Sequence, residues 1–164
     1  MSRYDEGIAR IEATCGNGKD NVIALATIVT GPGNDGQVRP AVRDVDAMYE
    51  AGVFYVTTTA NSNKALQIAS NPEVAFAVAF EGVYGHGSAE NLGWVLDPKN
   101  ATLRDKLRQT FADWYDAANN EQDPNCVILA IRVTTCSIFQ DHGAVRYELD
   151  LVAKTEAGDS PAAA

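Results

Sequence analysis

The chain has 164 residues, 46% of them hydrophobic and 21% charged, with a formal net charge of −9. That length supports one domain with a proper core and is short for two. The acidic balance argues against a nucleic acid or an anionic membrane as partner, since either needs a basic face.

The cysteines Cys15, Cys126 and Cys136 are three in number, widely spaced and without a CxxC, which sets aside a disulfide framework and a zinc knuckle. They read as small buried thiols of a reducing compartment. The polar start MSRYDEGIAR has no apolar signal-type core, and no apolar run approaches membrane-spanning length. A cytoplasmic protein is expected.

Tyr4, Ile8 and Ile11 fall on one face of a short helix over 4–14, ended by Gly16-Asn17-Gly18. The run Val22 to Thr30 is β-branched and bounded by turn signals, as a strand buried on both faces would be. Gly31 to Gly36 reads as a loop into a second strand, Gln37 to Arg43. Asp44 to Gly52 reads as a connection with a helical turn around Asp46 to Glu50.

The third strand is Val53 to Thr59. Ser62 suits the N-cap of a helix over Asn63 to Ser70, which Asn71-Pro72 stops. Val74 to Phe80 is a fourth strand, and Glu81-Gly82 links it to a fifth, Val83 to about Leu92. Gly85 and Gly87 inside that strand point to a bulge, a bend or a close approach.

Asp97-Pro98 opens what reads as the longest helix, to about Ala117, with Leu103, Leu107, Phe111 and Trp114 as its apolar stripe. After the polar loop Asn119 to Asn125 come strands at Cys126 to Val133 and Ser137 to Gln140. The turn Asp141-His142-Gly143 leads to a last run, Val145 to Val152. Residues 1–152 form a single domain on this reading, and 153–164 a flexible tail. Seven or eight short strands in mostly hairpin order, with two or three helices inserted, predict a mainly β fold that closes into an antiparallel barrel.

Arg39 and Arg43 are four apart on a strand, so both leave one face, about 13 Å apart at ~3.3 Å per residue. They are read either as solvated surface charges or as two contacts for one elongated ligand. Ser62-Asn63-Lys64 brings free backbone N–H groups, a hydroxyl, an amide and an ammonium to one helix start, and Thr57-Thr58-Thr59 adds hydroxyls just before it. An ordinary cap with a solvated lysine would look the same. GVYGHG is not a dinucleotide fingerprint, and the sequence has no phosphate-binding P-loop. His86 and His142 are isolated, so no metal site is expected.

The order of these pieces resembles the pyridoxamine 5′-phosphate oxidase-like FMN-binding split barrels, on the general stress protein-like side of that family. The resemblance spans roughly residues 4–152. It rests on Val38-Arg39-Pro40, VFYVTTTANSNKALQIASNPEVAFAV, VYGHGSAENL, FADWYDA and DPNCVILAIRVTTCSIF. It implies a six-stranded antiparallel split β-barrel with two to three flanking helices, paired as a homodimer with FMN at the interface.

Carried over residue by residue, the resemblance puts Arg39 and Lys64 on the FMN phosphate, with Ser62 and Asn63 in the turn beside it. It puts Ala41, Val42, Thr57 and Thr58 along the cofactor, and Phe139 in place of an aromatic that reaches the flavin across the dimer. Arg43 is the candidate cation for the pyrimidine end of the ring. True pyridoxamine phosphate oxidases have a lysine shortly after the strand-two arginine and a C-terminal Arg and His. Val42-Arg43-Asp44 and the Ala-rich end lack them, which argues against a B6 vitamer as substrate. An FMN-dependent oxidoreductase taking a small-molecule substrate or electron donor is the implied activity, with no catalytic residue assigned. The alternatives are a non-catalytic flavin-binding or sensing dimer, and a relative holding a deazaflavin, or a haem on His86 or His142.

Overall fold

The computed structural model describes residues 1–29 and 36–159. Residues 30–35, most of the expected Gly31–Gly36 loop, and residues 160–164 of the expected tail lie outside the described residues. Helix α1 (Arg3–Cys15) opens on a capping box in which the Ser2 side chain and Asp5 satisfy each other's backbone N–H groups. Strands β1 (Asp20–Val29) and β2 (Arg39–Glu50) pair antiparallel from Asp20 opposite Met48 to Val29 opposite Arg39. An Ala51-Gly52 turn with φ of 49° and 84° joins β2 to β3 (Val53–Thr59), the positive-φ pair of a tight hairpin.

Helix α2 (Asn63–Ser70) follows, then β4 (Glu73–Val78) and β5 (Val83–Trp94). Helices α3 (Ala101–Thr110) and α4 (Tyr115–Ala118) lead into β6 (Cys126–Gln140), β7 (Val145–Asp150) and β8 (Thr155–Glu156). The strand order is β3-β2-β1-β4-β5-β6-β7-β8, and β3 also pairs with β6. Six strands therefore close into an antiparallel barrel, and β7 and β8 extend it outward from β6. Among the described residues no helix is long and apolar enough to cross a membrane.

Inward positions of the barrel strands are filled by Ile23, Leu25, Ala47, Phe54, Leu129 and Ile131, each without exposed surface. Ile11 and Cys15 of α1 and Ala65 and Ile68 of α2 belong to the same cluster. The Asn21 side chain ties the end of α1 to β2 through the carbonyls of Cys15 and Ala47. At the other end of β1, Thr27 bonds to Gln67 of α2. The two helices thus stop opposite ends of the barrel. A second cluster (Met48, Val95, Leu107, Phe111, Tyr115, Cys126 and Ile128) packs α3 and α4 on the outside, so the first half of β6 is buried on both faces.

Several boundaries differ from the sequence reading. Asp44 to Glu50 is strand rather than connection, because Val45, Ala47 and Tyr49 alternate inward against outward-facing Asp44 and Asp46. The two expected strands at 126–133 and 137–140 are one 15-residue strand, whose extra residue, Thr134, bulges where His86 and Gly87 of β5 face Thr135 and Val133. The helix expected over 97–117 begins as a 3-10 turn at Pro98–Asn100 and breaks at Phe111. That break lets Trp114 stack on Phe111 with ring centroids 4.6 Å apart and donate its indole N–H to Asp20. β4 stops at Val78, and Phe80 stands in the turn with φ of 61°.

The segment expected to be a free tail is paired where it is described. Glu156 is 5% exposed; its carboxylate accepts from Arg3 Nε at 2.9 Å and from the backbone N–H groups of Glu148 and Gly158.

The loop after α4 is held by a single acid. Glu121 accepts from Arg104 Nε and Nη2 at 2.7 and 2.6 Å and from the Tyr115 hydroxyl at 3.0 Å. These bonds hold its carboxyl at about 2, well below the ordinary glutamate range. A lowered carboxylate pKa adds stability above the unfolded-state value of about 4.3, which is lost as pH falls through the folded value; here the gain is roughly 3 kcal/mol. Glu121→Gln is therefore expected to cost about 2–3 kcal/mol at pH 7 and much less at pH 2. Urea melts at both pH values test this, and an equal loss at both would remove the electrostatic explanation.

Candidate functional site

The helix start that follows β3 is built from local signals. Ser62 accepts from the Ala65 backbone N–H at 3.3 Å and meets the Thr58 hydroxyl, also at 3.3 Å. The first backbone N–H groups of α2 then have no partner within the helix and point out of its positive end. Lys64 is half-buried and Asn63 exposed. Lys64 and Gln67 are three residues apart and so share one face of the helix.

Arg43 reaches that face from β2. It occupies an inward position of its strand, opposite Leu25, at the end of the barrel that α2 covers. Its Nη1 donates to the Thr27 hydroxyl at 2.7 Å and to the Leu25 carbonyl at 3.3 Å. Its Nη2 donates to Gln67 Oε1 at 2.9 Å. Thr27, with no exposed surface, donates to the same Gln67 oxygen at 2.6 Å.

Burial pulls the Arg43 pKa down. Burial and then the nearby Arg43 charge do the same to Lys64. Neither residue forms an ion pair with a carboxylate among the described residues. Two half-buried cations near one another, beside the N–H groups of a helix start, are an arrangement whose charge and donors an anion would satisfy.

The remaining expected site residues are distributed around this pair. Arg39 starts β2 and is exposed, on the same side of the strand as Arg43 and half-buried Ala41. Val42 faces outward and is 69% exposed. Thr58 and Thr57 alternate: Thr58 turns to Ser62, whereas Thr57 turns to the outside of the barrel. There its hydroxyl oxygen is buried without a hydrogen-bond partner, beside a cavity of about 430 Å³ lined by Trp114, Asn119 and Asp123.

Phe139 is not part of the group within one chain. Its register partner is Arg146, whereas that of Thr57 is Ile128, so roughly 35 Å of β6 separates the two at ~3.3 Å per residue. Phe139 instead lies under the Arg146 guanidinium at 5.0 Å. His86 meets Thr135 at 3.2 Å on the outer face of β5, and His142 sits in a turn with φ of 54°. Among the described residues no three His, Cys, Asp or Glu side chains gather as a metal site would require.

Sequence reasoning missed Thr27 and Gln67. The readable signals were a hydroxyl at an inward position of the apolar run VIALATIV, and a glutamine three residues past Lys64.

No family model matches the sequence, and no curated protein matches it. Solved structures do share its fold. General stress protein 26 from Bacillus anthracis is 22% identical, with a TM-score of 0.57 over 78% of this chain and 89% of that one. A FAD-binding protein from Mesorhizobium loti is 20% identical, with a TM-score of 0.58 over 83% of this chain and 92% of that one. A pyridoxamine 5′-phosphate oxidase-related, FMN-binding protein from Nostoc punctiforme is 16% identical, with a TM-score of 0.57 over 90% and 89%. The fold is thus that of the pyridoxamine 5′-phosphate oxidase-like split barrels, which includes flavin-binding proteins.

Proposed function

We propose that this chain binds a flavin, FMN, by its phosphate at the start of α2 and serves as an FMN-dependent oxidoreductase. The observation that carries the reading is the Arg43–Lys64 pair: two adjacent half-buried cations without an acidic partner among the described residues, beside the N–H groups of a helix start. Such a pair costs stability until an anion joins it, and a phosphate dianion matches both its charge and its donors. In that pose Ser62 and the backbone N–H groups of Asn63 and Lys64 orient the phosphate, and Thr58 steadies Ser62. Arg39, Ala41 and Val42 lie along β2 on the path toward the ring. A bound flavin would supply hydride or two-electron chemistry, while the protein supplies position and electrostatics.

Two copies are proposed to pair through the outer face of β2, β1, β4 and β5. Rows there read Val42–Ala26–Ala75–His86 and Asp44–Ala24–Ala77–Tyr84 across the sheet. The small apolar residues leave a flat surface, with Val42 69% and Tyr84 46% exposed. A partner on this face would give Phe139 its route to the flavin, which it does not have within one chain.

The visible spectrum of the purified protein tests the reading. It is expected to be yellow, or to become so with a stoichiometric amount of FMN, and to run as a dimer in light scattering. A protein that shows no bound-flavin band and does not quench FMN fluorescence would overturn it. Reduced nicotinamide bleaching the bound flavin faster than free FMN is the result expected of an enzyme, and bleaching at the free-FMN rate that of a binding protein.

A further inference from the structure

We propose that Gln67 and Thr27 are positioning residues that hold the Arg43 guanidinium with neutral acceptors, so that its full charge is kept for a phosphomonoester at the start of α2. The inference rests on the flavin-phosphate reading above and specifies how that site selects its ligand.

Five other arginines are fixed by acids. Arg3 meets Glu156, Arg10 meets Asp141, Arg104 and Arg108 meet Glu121, and Arg132 meets Glu90, at 2.6–3.5 Å. A carboxylate is thus the commonest partner of an arginine among the described residues, while Arg146 lies over the Phe139 ring. Arg43 is half-buried, where a partner acid would lower the cost of its charge most. It is nevertheless held by a hydroxyl, a carbonyl and an amide oxygen.

The three side chains form a closed ring. Thr27 accepts from Arg43 and donates to Gln67, while Gln67 Oε1 accepts from both Thr27 and Arg43. Two donors converging on one oxygen fix the orientation of the Gln67 amide. Thr27 is fully buried in the barrel interior, so the ring is anchored to packed structure and not to a mobile surface chain. The guanidinium is immobilised without being neutralised. Its Nε–H and one Nη2–H remain as donors after the three bonds are made. Gln67 stands on the same helix face as Lys64, so the arrangement that orients Arg43 also sets it beside the second cation.

Electrostatics gives Gln67 a role that packing alone would not. A glutamate in its place could accept the same bonds from Thr27 and Arg43, and the fold would be served as well or better. It would also cancel one of the two charges offered to a dianion. The test measures Kd for FMN and for riboflavin, which lacks the phosphate, by flavin fluorescence quenching, with a melting temperature for each variant. Gln67→Glu is expected to weaken FMN binding about tenfold or more, to leave riboflavin binding within about twofold, and to leave the melting temperature unchanged or raised.

A second pair guards against a folding defect. Thr27→Ser keeps the hydroxyl and is expected to keep the FMN-to-riboflavin preference, whereas Thr27→Val removes it and is expected to lose most of that preference. Gln67→Glu and Thr27→Val both retaining the wild-type preference would overturn the inference and leave the phosphate site standing. A wild-type protein that binds FMN no better than riboflavin would overturn the phosphate site, and the inference with it.

Discussion

Gly85→Ala is expected to destabilise the protein by about 3 kcal/mol or more, the upper end of what overpacking a core costs. Gly85 lies in β5 between Phe76 of β4 and Cys136 of β6. A Cβ there would overlap the carbonyl oxygen of Thr135 and crowd its carbon and the Cys136 Cα. All three are backbone atoms of a strand paired on both sides, so no side chain can swing away to make room. Relief requires β5 and β6 to separate where the barrel depends on that contact for closure. Gly36 is the control, since its φ is 74° but a Cβ there meets nothing within 4 Å. Gly36→Ala should cost only the backbone strain of a left-handed residue, about 1 kcal/mol. For a chain of this size the two losses correspond to melting shifts of roughly 6–12 °C and 2–4 °C. A Gly85→Ala protein that melts within 2 °C of wild type would mean that the β5–β6 register is not as described.

The glycine was legible in the sequence and its neighbour was not. Gly85 and Gly87 stand out in a strand pattern because a glycine there gives up packing and β-propensity. Which backbone they make room for depends on register with β6, which is 40–50 residues away. The stretch from β3 through α2 was legible to the residue, since a serine cap and Asn71-Pro72 are signals that act within a few positions. The far half of β2 was obscured because Asp44, Asp46 and Glu50 resemble a polar connection. The inward alternation of Val45, Ala47 and Tyr49 was nonetheless present. The break in α3 had no local signal. The spacing of Leu107, Phe111 and Trp114 fits an unbroken helix, and the bond from Trp114 to Asp20 that accompanies the interruption is a contact 94 residues apart in sequence.

The candidate site shows the same division. Lys64 and Ser62 could be placed from spacing, and Arg39 and Arg43 could be assigned to one face of a strand. The network around Arg43 could not be read this way, because it depends on the β1–β2 register, which puts Arg43 opposite Leu25 and within reach of Thr27 and Gln67. A slip of one residue would turn both arginines outward. Register in this hairpin is fixed by the inward apolar sets of the two strands together, and no single strand contains that information.

Replacing both cations, Arg43→Ala with Lys64→Ala, is expected to reduce FMN affinity by about 10²- to 10⁴-fold, from roughly 1.5–3 kcal/mol for each charge-assisted contact. The combined loss should fall short of the sum of the single losses, because groups that share one phosphate are coupled. The unliganded protein should respond in the opposite direction at Lys64. Burial and the adjacent Arg43 hold that lysine's pKa below its unfolded value, so its charge is a cost at pH 7 that is relieved only as pH rises through the folded value. Lys64→Ala removes the cost and puts a stronger helix former in the first turn, so the apo melting temperature should hold or rise while FMN binding falls. Improved stability with impaired binding is the sign of a residue kept for a ligand. Riboflavin affinity should be nearly unaffected, so the double variant would bind the two flavins alike. FMN affinity within about threefold of wild type in the double variant would place the phosphate elsewhere on the barrel.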